Sequence, residues 1–385
     1  MSGAGPDTRL VHAGSAPRPG VRTVNPPIQR ASTVILPDAK ALYDGAHVTY
    51  ARVGLQPRDS LCEALAELEG AKGVHLYPSG LAAMTGVLLA LLKAGDEVLV
   101  CAHAYRPTRL FCDRLLTRFG VAVRHYPQTA SPDEVLAAAG TATRLIVLES
   151  PGSLTMEMQD IPAIARLARD RGALTVMDNT WAAGLLFKPL AHGVDVSVQA
   201  LTKYAGGHSD VFMGSAASND EEVLARLEAG MSEVGWSVSP EDAYLILRSL
   251  RTLPVRMAQH GQSGVAIAAW LRDQPEVLEV LHPALPGARG HALFTRDFSG
   301  PSGLFSFVLR PASQAAVDAL LDALQVFGLG FSWGGHESLA ISCDPQRPRS
   351  GDYPGPLMRL HVGLEAPADL IADLRRGLDA FAAAA

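Results

Sequence analysis

Three short stretches carry residue types that could do chemistry together. The first is Val176-Met177-Asp178-Asn179-Thr180, an apolar run that ends on an acid. In parallel α/β sheets ligands sit beyond the carboxyl ends of the strands, so an Asp there can face a cationic ligand group or a metal. Its plainer role is a turn or helix-cap aspartate. The second is Val196 to Tyr204, where another apolar run leads to Lys203 and then to the pliant Ala205-Gly206-Gly207-His208. A lysine amine taken out of water can form a Schiff base and act as a base. Otherwise Lys203 is a surface loop residue. The third is Tyr77-Pro78-Ser79-Gly80-Leu81, a turn that opens an apolar helix. The free N–H groups of a helix start bind anions, phosphate above all. Taken singly, this is an ordinary capped helix.

These residues need a frame. From about 56 to 238 the pattern alternates between helices (Arg58–Gly70, Leu81–Lys93, Ile161–Asp170) and short β-branched runs (Glu97–Cys101, Val121–His125, Leu145–Leu148, Leu174–Met177, Val194–Val198). Such alternation predicts a mainly parallel sheet with crossover helices. Residues 1–55 read as an arm, because Pro6, Pro17, Pro19, Pro26 and Pro27 forbid a long helix. An arm of this kind is expected to wrap a neighbouring subunit. At Ser239-Pro240-Glu241-Asp242 a cap residue, a first-turn proline and two acids begin a helix. From there to 385 we expect a smaller α+β domain. It holds a helix path to Trp270 disturbed at Pro254, strands at 303–309 and 338–342, and helices at 313–326 and 366–382.

Composition removes other classes. Lys plus Arg number 33 against 39 Asp plus Glu, so the charge does not steer toward nucleic acid or anionic lipid. The longest apolar stretch, Leu81–Leu92, is shorter than the roughly 20 residues a membrane span needs. The four cysteines form no C-x-x-C pair, and His336-Glu337 lacks the second histidine of a metal-binding helix, so no metal site is expected. His208 is expected to pack or cap, Cys343 to be a buried small hydrophobe, and Trp181 to flank a ligand or serve the core. The expected setting is cytoplasmic.

A lysine for an imine, an acid at a strand end 25 residues earlier and an upstream anion-binding helix start are together what pyridoxal phosphate requires. The acid keeps the pyridine nitrogen protonated, which makes the ring an electron sink. At this point the chain resembles the Cys/Met-metabolism pyridoxal-phosphate enzymes of the aspartate-aminotransferase fold (fold type I), over nearly its whole length from about Thr8. The resemblance is carried by Leu148–Glu157, Asp178–Gly184, Leu201–Tyr204 with Gly207–Asp210, Leu247–Leu253, His282–Gly287 and Phe331–Leu339. It implies that Lys203 carries the cofactor as a Schiff base, that Asp178 faces the pyridine nitrogen and that Tyr105 stacks on the ring. It implies phosphate contacts from Gly80, Leu81 and Thr202, and from Tyr50 and Arg52 reaching the neighbouring subunit. Arg359 is implied to grip the substrate carboxylate, with Ser332 and Trp333 beside it. Lys203 is the implied base, with Tyr105 or Tyr50 as helpers.

Local departures bear on cofactor affinity and on activity. Ala200 stands where many relatives have a serine donor to the phosphate, which touches cofactor affinity rather than chemistry. Pro151-Gly152-Ser153 lacks the asparagine of many gamma-acting relatives, and Arg106-Pro107 follows Tyr105 where methionine gamma-lyases carry a cysteine. Together with Ser332-Trp333-Gly334-Gly335, these differences point to the beta-lyase branch of bacterial type. The expected reaction is β-elimination of L-cystathionine to homocysteine, pyruvate and ammonia. The alternatives are a cystathionine gamma-lyase, a broad cysteine desulfhydrase, or a silent regulatory homologue. The family also implies a homo-oligomer, a tetramer built as a dimer of dimers.

Overall fold

A computed structural model describes residues 3–15, 23–343 and 353–385. The alternating region forms one seven-stranded sheet: β1 (Gly73–Tyr77), β2 (Glu97–Cys101), β3 (Ala122–Tyr126), β4 (Thr143–Glu149), β5 (Leu174–Asp178), β6 (Val196–Ala200) and β7 (Gly214–Ser218). Their spatial order is β1-β7-β6-β5-β4-β2-β3. β7 runs antiparallel to both neighbours, and every other pairing is parallel. Strands buried on both faces read as unbroken apolar runs rather than as alternation. All five residues of β2 are accordingly buried.

Helices cover both faces. Arg58–Glu69 buries Leu61, Leu65 and Leu68, the stripe its spacing predicts, and stops at Gly70, whose φ of 67° favours glycine. Gly80–Leu91 is apolar almost all round and lies buried. β1 and β7 were not legible in sequence. Gly214-Ser-Ala-Ala-Ser218 has no β-branched residue, and its first residue must be glycine because the Ser79 carbonyl and Gly80 lie where a Cβ would stand.

Helix Pro240–Leu250 begins as expected, with the Ser239 side chain accepting from the Asp242 N–H. The disturbance expected at Pro254 lies slightly earlier. The chain breaks at Arg251–Thr252 and restarts as Leu253–Arg272, with Pro254 in the first turn where its missing N–H does no harm. A second, five-stranded sheet has β8 (Val277–Leu281), β9 (Leu304–Leu309), β10 (Gly328–Leu329), β11 (Leu339–Ser342) and β12 (Leu357–His361), in the order β10-β11-β12-β9-β8. Its core gathers Ile267, Phe305, Phe307, Leu320, Leu360 and Leu374. Ala243, Ile246, Leu250 and Met257 instead join the core of the larger sheet. The long helix Leu253–Arg272 therefore bridges the two cores.

The prolines keep the arm open. Its described helices are short, Pro6–His12 of seven residues and a 3-10 turn at Lys40–Leu42, and Arg251 pins the first by donating to the carbonyls of Leu10, Val11 and Ala13. Pro17 and Pro19 lie outside the described residues. Further along, Val24, Ile35 and Tyr43 are each nearly 90% exposed, at 87%, 89% and 87%.

Candidate active site

The C-terminal ends of β4, β5 and β6 open into a cavity of about 370 Å³, the place where parallel α/β sheets take ligands. Asp178, the last residue of β5, lies level with Glu149, the last of β4. Lys203 follows β6 by three residues and is the one of the chain's five lysines that lines the cavity. Helix Gly80–Leu91 starts on the same rim. A Cβ on Gly80 would lie 2.3 Å from the Ala200 Cβ, and one on Gly214 would lie 2.3 Å from the Ser79 carbonyl oxygen. No side chain fits at either position, and Ala200 is held small by the same contact. Ser79 caps the helix through the Ala82 N–H, which leaves the N–H groups of Gly80 and Leu81 outside the helical ladder.

The charged groups are tuned by burial and by each other. Burial pushes the Asp178 carboxyl above its ordinary range, while Thr180 and the Lys203 charge pull it back. Thr180 donates twice to Asp178 Oδ1, from its N–H at 3.0 Å and its hydroxyl at 2.5 Å. The same hydroxyl oxygen accepts the Ala200 N–H at 2.9 Å. Thr180 thus ties the acid on β5 to the end of β6. Burial and the nearby Arg359 charge push the Lys203 amine down to about 8, against the pull of Asp178. Its Nζ donates to Ser332 Oγ at 2.9 Å and stands 5.4 Å from the centre of the Trp333 ring.

The glycines after Trp333 bring that loop in. Gly334 has φ of +85°, and a Cβ there would meet the Tyr204 N at 2.7 Å and the Lys203 carbonyl carbon at 2.8 Å. Arg359, on β12, is buried, and its Nη2 donates to the carbonyls of Phe331 at 2.6 Å and Ser332 at 3.2 Å. One loop is therefore anchored on Lys203 at one side and Arg359 at the other.

Tyr105 is half exposed on the cavity wall, just before helix Arg106–Arg114. Burial and the charges of Asp178 and Glu149 raise its phenol above the usual value. Its backbone N–H donates to Glu149 Oε2 at 2.7 Å. Burial, with the neighbouring Asp178 charge, pushes Glu149 up to about 8.

The expected residues Gly80, Leu81, Tyr105, Asp178, Thr202, Lys203, Trp333 and Arg359 all line this one cavity, and Ser332 touches Lys203. Tyr50 and Arg52 do not line it. Tyr50 is exposed and Arg52 half-buried, with the Arg52 guanidinium carbon 5.9 Å from the Tyr50 ring centre and Nη1 donating to the Ser232 carbonyl at 3.4 Å. The Thr202 hydroxyl already donates to the Met213 carbonyl and accepts the Met213 N–H. His208 caps locally, its Nδ1 2.7 Å from the Gly206 carbonyl oxygen. Trp181 lies in the cavity wall and is also a core anchor, with Nε1 donating to Leu304 O at 3.0 Å. Cys343 is buried, as expected.

Sequence reasoning missed three supports. Thr180 sat inside a quoted motif without a role. Glu149 did too, although it ends a strand on an acid just as Asp178 does. Arg256 gave no signal. Buried, it donates to the Tyr204 carbonyl at 2.7 Å and to Ser249 Oγ at 2.9 Å, and so fixes the turn after Lys203. Among the described residues no group of three or more His, Cys, Asp or Glu is arranged to hold a metal, and no helix is long and apolar enough to cross a membrane.

The donor set fits pyridoxal phosphate. Free helix-start N–H groups suit a phosphate, a strand-end carboxyl suits a pyridine nitrogen, and a desolvated amine suits an aldehyde. The glycine contacts at 80 and 214 leave bare backbone where an anion must approach closely.

Comparison with known proteins agrees. Residues 7–379 match the family described as Cys/Met metabolism PLP-dependent enzyme. A putative cystathionine beta-lyase of Rhizobium johnstonii is 46% identical over 391 aligned positions, covering 100% of this chain and 98% of that protein. The cystathionine beta-lyase of Escherichia coli is 41% identical, covering 96% and 97%. Among solved structures, a cystathionine gamma synthase from Xanthomonas oryzae, in complex with aminoacrylate and cysteine, superposes with a TM-score of 0.93 at 33% identity over 100% of both chains.

Proposed function

We infer, from the premise that this chain belongs to the Cys/Met metabolism PLP-dependent enzyme family, that it is a carbon–sulfur lyase of the cystathionine beta-lyase type. Its reaction is the β-elimination of L-cystathionine to homocysteine, pyruvate and ammonia. The observation that carries this reading is the meeting of Lys203, Asp178, Tyr105 and Arg359 on one cavity in a chain 46% identical to a relative named for that activity.

Lys203 is the residue to which the cofactor would attach, with Asp178 at the pyridine nitrogen, Tyr105 over the ring, and the Gly80 and Leu81 N–H groups at the phosphate. Pyridoxal phosphate, when bound, supplies an electron sink for the charge left at the substrate Cα. Arg359 binds the substrate α-carboxylate through its planar fork and so orients the Cα–H bond. The Lys203 amine, freed by the substrate, takes the Cα proton, and a value near 8 suits that task at neutral pH. Ser332 Oγ steadies Nζ at 2.9 Å between these states. The Cβ–S bond then breaks, and Lys203 returns a proton to the departing sulfur, with Tyr105, or Tyr50 reaching in from a neighbouring copy of the chain, assisting. Homocysteine leaves, and water converts the three-carbon remainder to pyruvate and ammonia.

The exposed arm, with Tyr50 and Arg52 away from their own cavity, supports a homo-oligomer in which these two residues complete a neighbour's site. We assign the family's dimer-of-dimers tetramer, the division into arm (1–55), cofactor-binding (56–238) and C-terminal (239–385) parts, and a cytoplasmic setting on the same grounds. Incubation with pyridoxal phosphate and L-cystathionine, followed by identification of the keto acid and thiol, tests the activity. Pyruvate with homocysteine supports it, whereas 2-oxobutyrate with cysteine assigns the gamma-cleaving alternative.

A further inference from the structure

We propose that Glu149 is a positioning residue that sets Tyr105 over the cavity by accepting its backbone N–H. This rests on the pyridoxal-phosphate reading above. Tyr105 precedes helix Arg106–Arg114, and its own side chain makes no cap hydrogen bond. The Glu149 side chain leaves the end of β4 and meets the Tyr105 N–H at 2.7 Å. The rest of this loop is held from the same strand end. His103 Nε2 lies 2.8 Å from the Glu149 carbonyl oxygen, and the His103 ring fills the space that a Cβ on Gly152 would need, with Nδ1 at 2.3 Å. Strand β4 thus clamps residues 103 and 105 through one backbone and one side-chain contact.

The position also explains why an acid-length side chain ends β4. Glu149 is level with Asp178 on the adjacent strand. A hydrogen bond from Glu149 therefore fixes Tyr105 relative to the acid assigned to the pyridine nitrogen. Asp178 from β5, Arg109 from the helix and His103 from the loop are the charged groups around it. With burial and Asp178 favouring the neutral carboxyl, Glu149 can accept from Tyr105 without placing a second full charge beside Asp178.

The test compares full-length wild type with Glu149→Gln, which keeps an acceptor oxygen, and Glu149→Met, which keeps length and burial but accepts poorly. Wild type must first bind pyridoxal phosphate and cleave L-cystathionine; failure there overturns the functional reading rather than this one. Each apoprotein is then titrated with pyridoxal phosphate, followed by visible circular dichroism of the bound cofactor and by kcat and KM. Glu149→Met is expected to weaken cofactor binding about tenfold, the effect of one buried hydrogen bond, and to change the dichroic band. Glu149→Gln is expected to recover most of both. In a Tyr105→Ala background, Glu149→Met should cost little more, because the ring it positions is gone. The proposal is overturned by Glu149→Met matching wild type, by Glu149→Gln falling as far as Glu149→Met, or by losses that simply add in the double variant.

Discussion

Thr180→Val removes one hydroxyl and almost no volume, and it isolates what holds Asp178 ready. The hydroxyl makes two bonds, a 2.5 Å donation to Asp178 Oδ1 and a 2.9 Å acceptance from the Ala200 N–H. A hydrogen bond to a charged group contributes about 1.5–3 kcal/mol. Losing the donation therefore removes stabilisation from the charged form and raises the Asp178 pKa further. Burial has already raised it, and Thr180 is the largest opposing influence, so the shift adds to an existing one. Activity that needs the ionised carboxylate then loses its acidic side first. The acid limb of kcat/KM against pH should move to higher pH, while the alkaline limb stays. The stranded Ala200 N–H should also lower unfolding stability in urea by about 1–3 kcal/mol. Thr180→Ser, which keeps the hydroxyl, should follow wild type in both assays. A Thr180→Val enzyme with an unmoved acid limb would refute the link between Thr180 and the Asp178 charge.

Further consequences are equally concrete. Lys203→Ala should lose both the visible band of bound cofactor and turnover, checked by absorbance and pyruvate release. Arg359→Lys, which keeps the charge but not the fork, should raise KM for L-cystathionine at least about tenfold with a smaller change in kcat, measured by steady-state kinetics. Mixing two inactive proteins, Lys203→Ala and Arg52→Ala, should restore part of the activity if Arg52 completes a neighbour's site; no recovery after subunit exchange would contradict shared sites. Glu149 titrates at about 8 in the folded chain against an ordinary 4.5. Its contribution to apoprotein stability is therefore full below pH 4.5 and is lost as pH rises through about 8. Glu149→Gln should flatten that part of the stability–pH curve measured by urea unfolding.

Much of this was legible because chemistry sat where chain patterns end. Asp178 and Lys203 stand out since each follows an apolar run that breaks abruptly, and the seven-stranded sheet turns those breaks into one rim. The helix start at Ser239 was readable because cap, proline and acids all act within one turn. What the sequence concealed depends on tertiary contact. β7 opens on Gly214 because Ser79 and Gly80 press on that position, a reason lying over 130 residues away. Gly334 is required by the backbone at Lys203, and Arg256 acts on a turn some 50 residues earlier. Arg359 was found through resemblance, whereas its mooring on the Phe331 and Ser332 carbonyls follows only from the pairing of β12 with β11 and β9. Tyr50 and Arg52 do not line the cavity of their own chain, and the site they are expected to reach belongs to a neighbouring subunit.

The most direct test of the account is to find which amine bears the cofactor. Holoenzyme reduced with borohydride, digested and mapped by mass spectrometry reports the answer among only five lysines, Lys40, Lys72, Lys93, Lys188 and Lys203. The account predicts the reduced cofactor on Lys203 and on no other. Attachment at Lys188, which is already engaged with the Leu68 and Gly184 carbonyls, or at any of the three remaining lysines, would contradict it.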